Sequence, residues 1–249
     1  MDAGAGRSRS GEVTPITARA HVFVDDLDAP VLDGGDEHHV RRVLRLAPAS
    51  DVTAGDGGGR WRPCRLADGP VLEVAGAILR DPRPEPPITV AFALVKGERP
   101  ELVVQKLTEL GVDRLVPFVA GRSVVRWDPA RADRHLERWR TIARQAAMQC
   151  RRTTLPEVAP MATFRSVAAL PGAALADAFG DPPTLDQPVV LIGPEGGWTP
   201  EERGEGLPVV RLAAHVLRAE TAAITAGAVL AGLRAGILAE AHQADHIVR

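Results

Sequence analysis

The stretch Val189-Val190-Leu191-Ile192-Gly193-Pro194-Glu195-Gly196-Gly197-Trp198-Thr199-Pro200-Glu201-Glu202 carries the reading that decides the fold. Four apolar residues form a buried strand, and a glycine-rich turn follows. Thr199 with Glu202 three residues later makes a capping box, and Pro200 occupies the first helical position. Strand, glycine turn and helix start in that order bring backbone donors close to a ligand. A phosphate loop would need Lys and then Ser or Thr after its last glycine, whereas Trp198 and Thr199 stand here. No dinucleotide fingerprint occurs either. On spacing alone the turn is either a ligand-facing loop or plain loop geometry.

Working outward, the same alternation recurs. Ile88 to Val95 is an apolar run suited to a buried strand. Glu101 to Leu110 places Val103, Leu107 and Leu110 on one helical face before Gly111, a natural stop. Leu115 to Val119 reads as a strand, and the helix after it carries Ala132, Leu136, Trp139, Ala143 and Ala146 as its buried stripe. Strands at Ala173 to Ala178 and Val209 to Leu212 and a helix from Ala219 to Ile237 complete the pattern. The fold class is therefore α/β, a mostly parallel sheet covered on both faces. Ligands bind such sheets at the carboxyl ends of the strands, so the loops leaving Ile192 and Leu212 are where chemistry is expected.

Upstream, Asp81 to Pro87 contains Pro82, Pro84, Pro86 and Pro87, which fix φ and remove backbone donors. The expected organisation is a flexible tail over 1–18, a small β-rich domain over 19–81, a proline linker over 82–87, an α/β domain over 88–240 and a tail over 241–249. Within the β-rich domain, Val22 to Val24, Val71 to Val74 and Ala77 to Leu79 read as strands. Asp36 to Leu46 instead puts Val40, Val43 and Leu44 at helical spacing, with His38, Arg41, Arg42 and Arg45 on a basic face. His38 and His39 point about 100° apart on a helix and cannot easily share a metal ion. A backbone or RNA contact and a buried, hydrogen-bonded histidine both stay open for them.

At 249 residues and 45% hydrophobic content, the chain can bury one large or two smaller cores. No apolar run reaches membrane-spanning length, and Met1 to Gly11 lack a signal-peptide core, so a cytoplasmic protein is expected. Cys64 and Cys150 are too few for a disulfide framework and have no ligands at metal spacing, so reduced thiols and no metal are expected. The net charge of −2 hides a local excess: Pro129 to Arg152 holds seven arginines against Asp133 and Glu137. That segment is either an electrostatic footprint for nucleic acid or a solvated helix face carrying ion pairs.

Gly193 to Gly197, followed by Leu217-Arg218-Ala219-Glu220-Thr221-Ala222, resembles the paired cofactor loops of the 16S ribosomal RNA (uridine 1498, N3) methyltransferase family, of the trefoil-knotted SPOUT superfamily. Three further stretches agree in order: His38-His39 through Arg45, Lys96-Gly97 through Val112, and Gln149 with Arg152. Where the family usually shows Leu-Gly, this chain has Leu212-Ala213, so the backbone there must either avoid positive φ or accept strain. Met148 and Cys150 stand where the family usually carries an acidic residue and a serine.

The resemblance implies a PUA-like N-terminal barrel that positions RNA, a homodimer, S-adenosyl-L-methionine as cofactor and 16S ribosomal RNA or the small ribosomal subunit as partner. It implies cofactor contacts at Ile192, Gly193, Pro194, Glu195, Gly196, Gly197, Leu212, Val216 and Leu217. RNA contacts are expected from His38, Arg42, Arg45, Arg134, Arg138, Gln149 and Arg152. For catalysis, Arg218 and Arg152 are the candidate cations and Glu195 or Glu220 the candidate proton acceptors. Glu220 could equally complement a helix dipole, and Arg218 could be structural. Two rivals stay open: action on another RNA base, and a noncatalytic RNA-binding protein.

Overall fold

The computed structural model describes residues 13–94, 99–125 and 127–240, so Lys96-Gly97 of the family resemblance lies outside the described residues. The chain divides into two compact units. One runs to Arg83 and includes Ala147–Leu155; the other comprises Pro84–Ala146 and the residues from Pro156 onward.

In the first unit, β1 (Ala20–Phe23) pairs in parallel with β2 (Asp51–Gly55). Antiparallel pairing then adds β3 (Arg60–Leu66), β4 (Leu72–Val74) and β5 (Leu79–Arg80), the last two both on β3. The result is an open sheet and not the expected closed barrel among the described residues. Between β1 and β2, the expected single helix is a short α1 (Gly34–His38) running into a wider π turn over His39–Val43. Only Val40 of its three apolar residues is buried, while Val43 and Leu44 are exposed, and Arg45 follows the turn at φ 53°. His38 and His39 are both exposed, which removes the buried-histidine alternative.

The buried histidine of this unit is His21, whose Nδ1 lies 2.8 Å from Thr53 Oγ1. Burial above all, helped by the Arg151 guanidinium and opposed by Asp81, pulls its pKa down to about 4. The segment Ala147–Leu155, expected within the α/β domain, joins this unit through backbone and side-chain bonds. Leu155 N–H donates to Gly57 O at 2.9 Å, and Thr153 Oγ1 donates to Asp81 at 2.8 Å.

The second unit follows the predicted alternation: β6 (Thr89–Ala93), α2 (Arg99–Glu109), β7 (Arg114–Val119), α3 (Pro129–Gln149), β8 (Glu157–Val158), β9 (Ala162–Thr163), α4 (Phe164–Ala168), β10 (Ala173–Asp181), β11 (Val189–Ile192), α5 (Pro200–Arg203), β12 (Val209–Val210) and α6 (Ala219–Arg234). The strands lie in the order β12-β10-β11-β6-β7-β8, with β9 also on β7, and all pair in parallel.

Side chains alternate across this sheet. Val90, Phe92, Val190 and Ile192 enter the core that includes Trp139 of α3 and Ala223, Ala226 and Leu230 of α6. Ala91, Ala93, Val189 and Leu191 enter the opposite core with Val167 and Trp198. A period of two with both faces buried is what apolar runs such as Val189–Ile192 require. The expected stripe of α3 is turned inward: Trp139, Ala143 and Ala146 are buried and Leu136 packs against the core. The small residues of α6 have the same use. A Cβ on Gly227 would meet Leu107 Cδ2 at 2.6 Å, so Gly227 and the buried Ala223 and Ala226 pack within their own unit.

Candidate cofactor cleft

Three strand ends converge on one cleft of about 250 Å³. Ile192, Gly193, Pro194, Glu195 and Gly197 supply one wall from the turn after β11. Leu212, Ala213, His215, Val216 and Leu217 supply the other from the segment after β12. Ala219 and Ala222 of α6 close the base. This is the carboxyl edge of a parallel sheet, where the sequence pattern had pointed.

The glycine turn is held from several sides. Gly197 N–H donates to Pro194 O at 2.8 Å, and Gly197 itself adopts φ 68°, a left-handed conformation that L side chains resist. The Arg122 guanidinium donates to Gly196 O at 2.8 Å. Trp198 is buried, stacks parallel to Phe118 with centroids 6.3 Å apart, and donates its indole N–H to Ala176 O at 3.0 Å. Both halves of the Thr199–Glu202 capping box are formed, and the buried Glu202 also accepts from Gly121 N–H at 2.8 Å.

Gly196 is exposed on the turn, and a Cβ placed on it would meet Arg122 Cβ at 3.2 Å, so its small size leaves room for that side chain. Ala213 keeps out of positive φ and still lines the cleft, so the missing glycine costs no strain.

Sequence reasoning missed a third contributor, the end of β10. The β10 to β12 pairing shifts register between Ala176 and Asp181, both of which align with Val210. The residues between are displaced from the ladder as in a bulge. Asp177 and Ala178 thereby line the cleft, and Phe179 projects outward, 94% exposed. Gly180 makes this possible, because a Cβ there would sit 2.5 Å from Val209 O. A charged residue inside an apolar strand, with a glycine three positions on, was the available signal. Asp177 pairs with Arg203 of α5 at 2.6 Å, and both residues line the cleft.

The expected catalytic residues divide between the units. Arg218 is exposed at the N-cap of α6, with no side-chain capping bond, between the cleft residues Leu217 and Ala219. Glu195 is exposed on the turn, and Glu220 is half-buried in the first turn of α6. Arg152 belongs to the first unit, where its Nε donates to Thr154 Oγ1 at 3.0 Å, and Gln149 is exposed in the same segment.

The arginine helix also reads differently. Arg138 makes a two-pronged pair with Glu101 of α2, at 2.7 and 2.8 Å, and Arg140 pairs with Glu137 at 2.7 Å. Arg134 is exposed on the same helix. Counting charges along one segment could not include Glu101, which a neighbouring helix supplies. His38, Arg42 and Arg45 are exposed on the first unit. Among the described residues no group of His, Cys, Asp or Glu is arranged to hold a metal, and no helix is long and apolar enough to cross a membrane.

Comparison with known proteins gives this geometry a family. The RNA methyltransferase domain family matches residues 82–231. Ribosomal RNA small subunit methyltransferase E of Mycobacterium bovis is 35% identical over 218 residues, covering 79% of this chain and 83% of that protein. The enzyme of the same name from Neisseria gonorrhoeae, solved bound to S-adenosyl methionine, superposes with a TM-score of 0.71 at 26% identity, over 87% of this chain and 97% of its own. A methyltransferase from Legionella pneumophila, solved in complex with the same cofactor, gives a TM-score of 0.70 at 29% identity, over 84% and 96%. This chain belongs to the RNA methyltransferase domain family, among the ribosomal RNA small subunit methyltransferase E proteins.

Proposed function

We propose that the chain transfers a methyl group from S-adenosyl-L-methionine to N3 of a uridine in 16S ribosomal RNA, uridine 1498 by family resemblance. In this reading its α/β unit is trefoil-knotted, it works as a homodimer in the cytoplasm, and its N-terminal unit positions the RNA. The observation that carries the reading is the cleft itself, a pocket at three strand ends that joins apolar walls to exposed backbone and whose charged lining residues, Asp177, Glu195 and Arg203, carry no excess of positive charge. The cofactor has no phosphates to neutralise; it needs apolar walls for its adenine and backbone groups for its edges. Ile192, Leu212, Val216 and Leu217 provide the former and the Gly193 to Gly197 turn the latter.

When bound, the cofactor supplies a methyl group activated by its sulfonium. The protein must prepare the nucleophile, because N3 of uracil holds its proton to roughly two pH units above neutral, about 2.7 kcal/mol at pH 7. A cation against the uracil oxygens favours the anion, and a carboxylate or water takes the proton. Arg218 is assigned the first role, exposed beside the cleft and free of any capping duty. Glu195 on the turn or Glu220 on α6 is assigned the second. Arg152 is the alternative cation. The exposed His38, Arg42, Arg45, Arg134 and Gln149 are assigned to RNA, with Arg138 contributing only by leaving Glu101.

Arg218→Ala tests the chemistry. Turnover should fall more than cofactor or RNA affinity, and raising the pH from 7 to 10 in single-turnover assays should partly restore it. Parallel pH profiles for variant and parent would remove Arg218 from this role and pass it to Arg152. A chain that binds RNA but not the cofactor would support the noncatalytic rival.

A further inference from the structure

The Asp177–Arg203 pair has no part in the reading above, yet both residues line the cleft. Asp177 reaches it only because β10 leaves its ladder after Ala176. Its side chain is 14% exposed, whereas that of Arg203 is 52% exposed. One carboxylate oxygen accepts from Ala178 N–H at 2.6 Å and the other from the Arg203 guanidinium at 2.6 Å. The second carboxylate of the cleft wall, Glu195, is exposed on the turn.

A ligand that carries positive charge into a cleft with apolar walls loses part of its hydration there and needs a counter-charge sheltered from water. Asp177 is the sheltered carboxylate of this cleft. Arg203, on a four-residue helix and half in solvent, is the more exposed member of the pair, and an entering cation replaces its charge beside Asp177 as it withdraws. We infer that Asp177 is the charge-reading residue of the cofactor cleft. It distinguishes the cationic methyl donor from its neutral product, and Arg203 is the counter-ion it holds until the donor enters.

The inference rests on the cofactor reading given above. S-Adenosylmethionine and S-adenosylhomocysteine share adenosine, ammonium and carboxylate and differ by the sulfonium methyl. Loss of that charge at the end of a turnover would weaken the product's hold on Asp177 and let Arg203 return, which favours product release.

The experiment is calorimetric titration of the full-length chain with each of the two ligands, read as the ratio of their affinities. The parent should bind the donor more tightly than the product. Asp177→Asn keeps the shape and removes the charge, and should reduce that ratio by about tenfold. Arg203→Gln frees the carboxylate from its competitor and should raise the ratio. Because Arg203 is half-exposed, this second variant decides the matter if Asp177→Asn does not fold. A ratio unchanged in either folded variant overturns the inference, including the case in which both affinities fall equally, since Asp177 would then read only what the ligands share. A parent that binds neither ligand overturns the cofactor reading itself.

Discussion

The two long walls of the cleft are built in opposite ways. The turn after β11 is fixed by bonds from outside itself: the Arg122 guanidinium on Gly196 O, the Trp198 indole on Ala176 O, and Glu202 on Gly121 N–H. The segment after β12 presents Val216 87% exposed and His215 exposed. One wall is complete within the unit, and the other still has apolar surface to cover. Preorganisation therefore resides in the glycine turn, and the far side keeps apolar surface exposed to solvent. Phe179, 94% exposed beside the cleft residue Ala178, extends the unfinished side.

The largest expected effect comes from breaking the finished wall. Trp198→Ala removes a buried, stacked and hydrogen-bonded ring and should cost about 3–5 kcal/mol of stability, with cofactor affinity lost in any molecules that still fold. Thermal or denaturant unfolding measures the first and calorimetry the second. A loss of less than about 1 kcal/mol would show that the turn stands without its tryptophan.

A perturbation confined to the other unit serves as the contrast. With His21 lowered to about 4 in the folded chain against 6.5 unfolded, the unfolded state binds more protons between those values. Stability from this group is therefore full above pH 6.5 and falls as pH drops towards 4, by about 3 kcal/mol in all. His21→Gln should flatten that part of the stability profile without changing cofactor affinity at pH 7.5. An affinity change there would mean that the cleft walls depend on the first unit.

Much of this organisation was legible in the sequence, for identifiable reasons. Val189–Ile192 could only be a strand buried on both faces, and the Thr199 to Glu202 spacing announced a helix start that formed in full. These are local signals. The β10 bulge was not legible, since the displacement of Asp177 depends on how Val210 pairs from the far side of the sheet. Nor was the neutralisation of Arg138, because Glu101 lies on another helix. Ala147–Leu155 was assigned by sequence position to the α/β domain, yet its bonds go to Gly57 and Asp81. The glycines of the turn looked alike in sequence, but Gly197 is required for its φ of 68° and Gly196 for room beside Arg122.

That distinction gives the next prediction in size. Gly197→Ala must adopt a left-handed conformation and should cost about 1–2 kcal/mol, with cofactor affinity falling because the wall moves. Equal stability of variant and parent would contradict the geometry of the turn. The smallest effect on stability is expected at the open wall. Val216→Ser should stay within about 0.5 kcal/mol of the parent in unfolding, yet weaken cofactor binding by about three- to tenfold as apolar cover is lost. Unchanged affinity would show that Val216 faces something other than the cofactor.

The central claim is tested most directly on the RNA product. Small ribosomal subunits from a strain lacking this gene are incubated with the purified protein and methyl-labelled S-adenosylmethionine, and the 16S RNA is digested and mapped by mass spectrometry. The account predicts label at one uridine, on N3. Label on another base or on ribose, or none in the presence of bound cofactor, would contradict it.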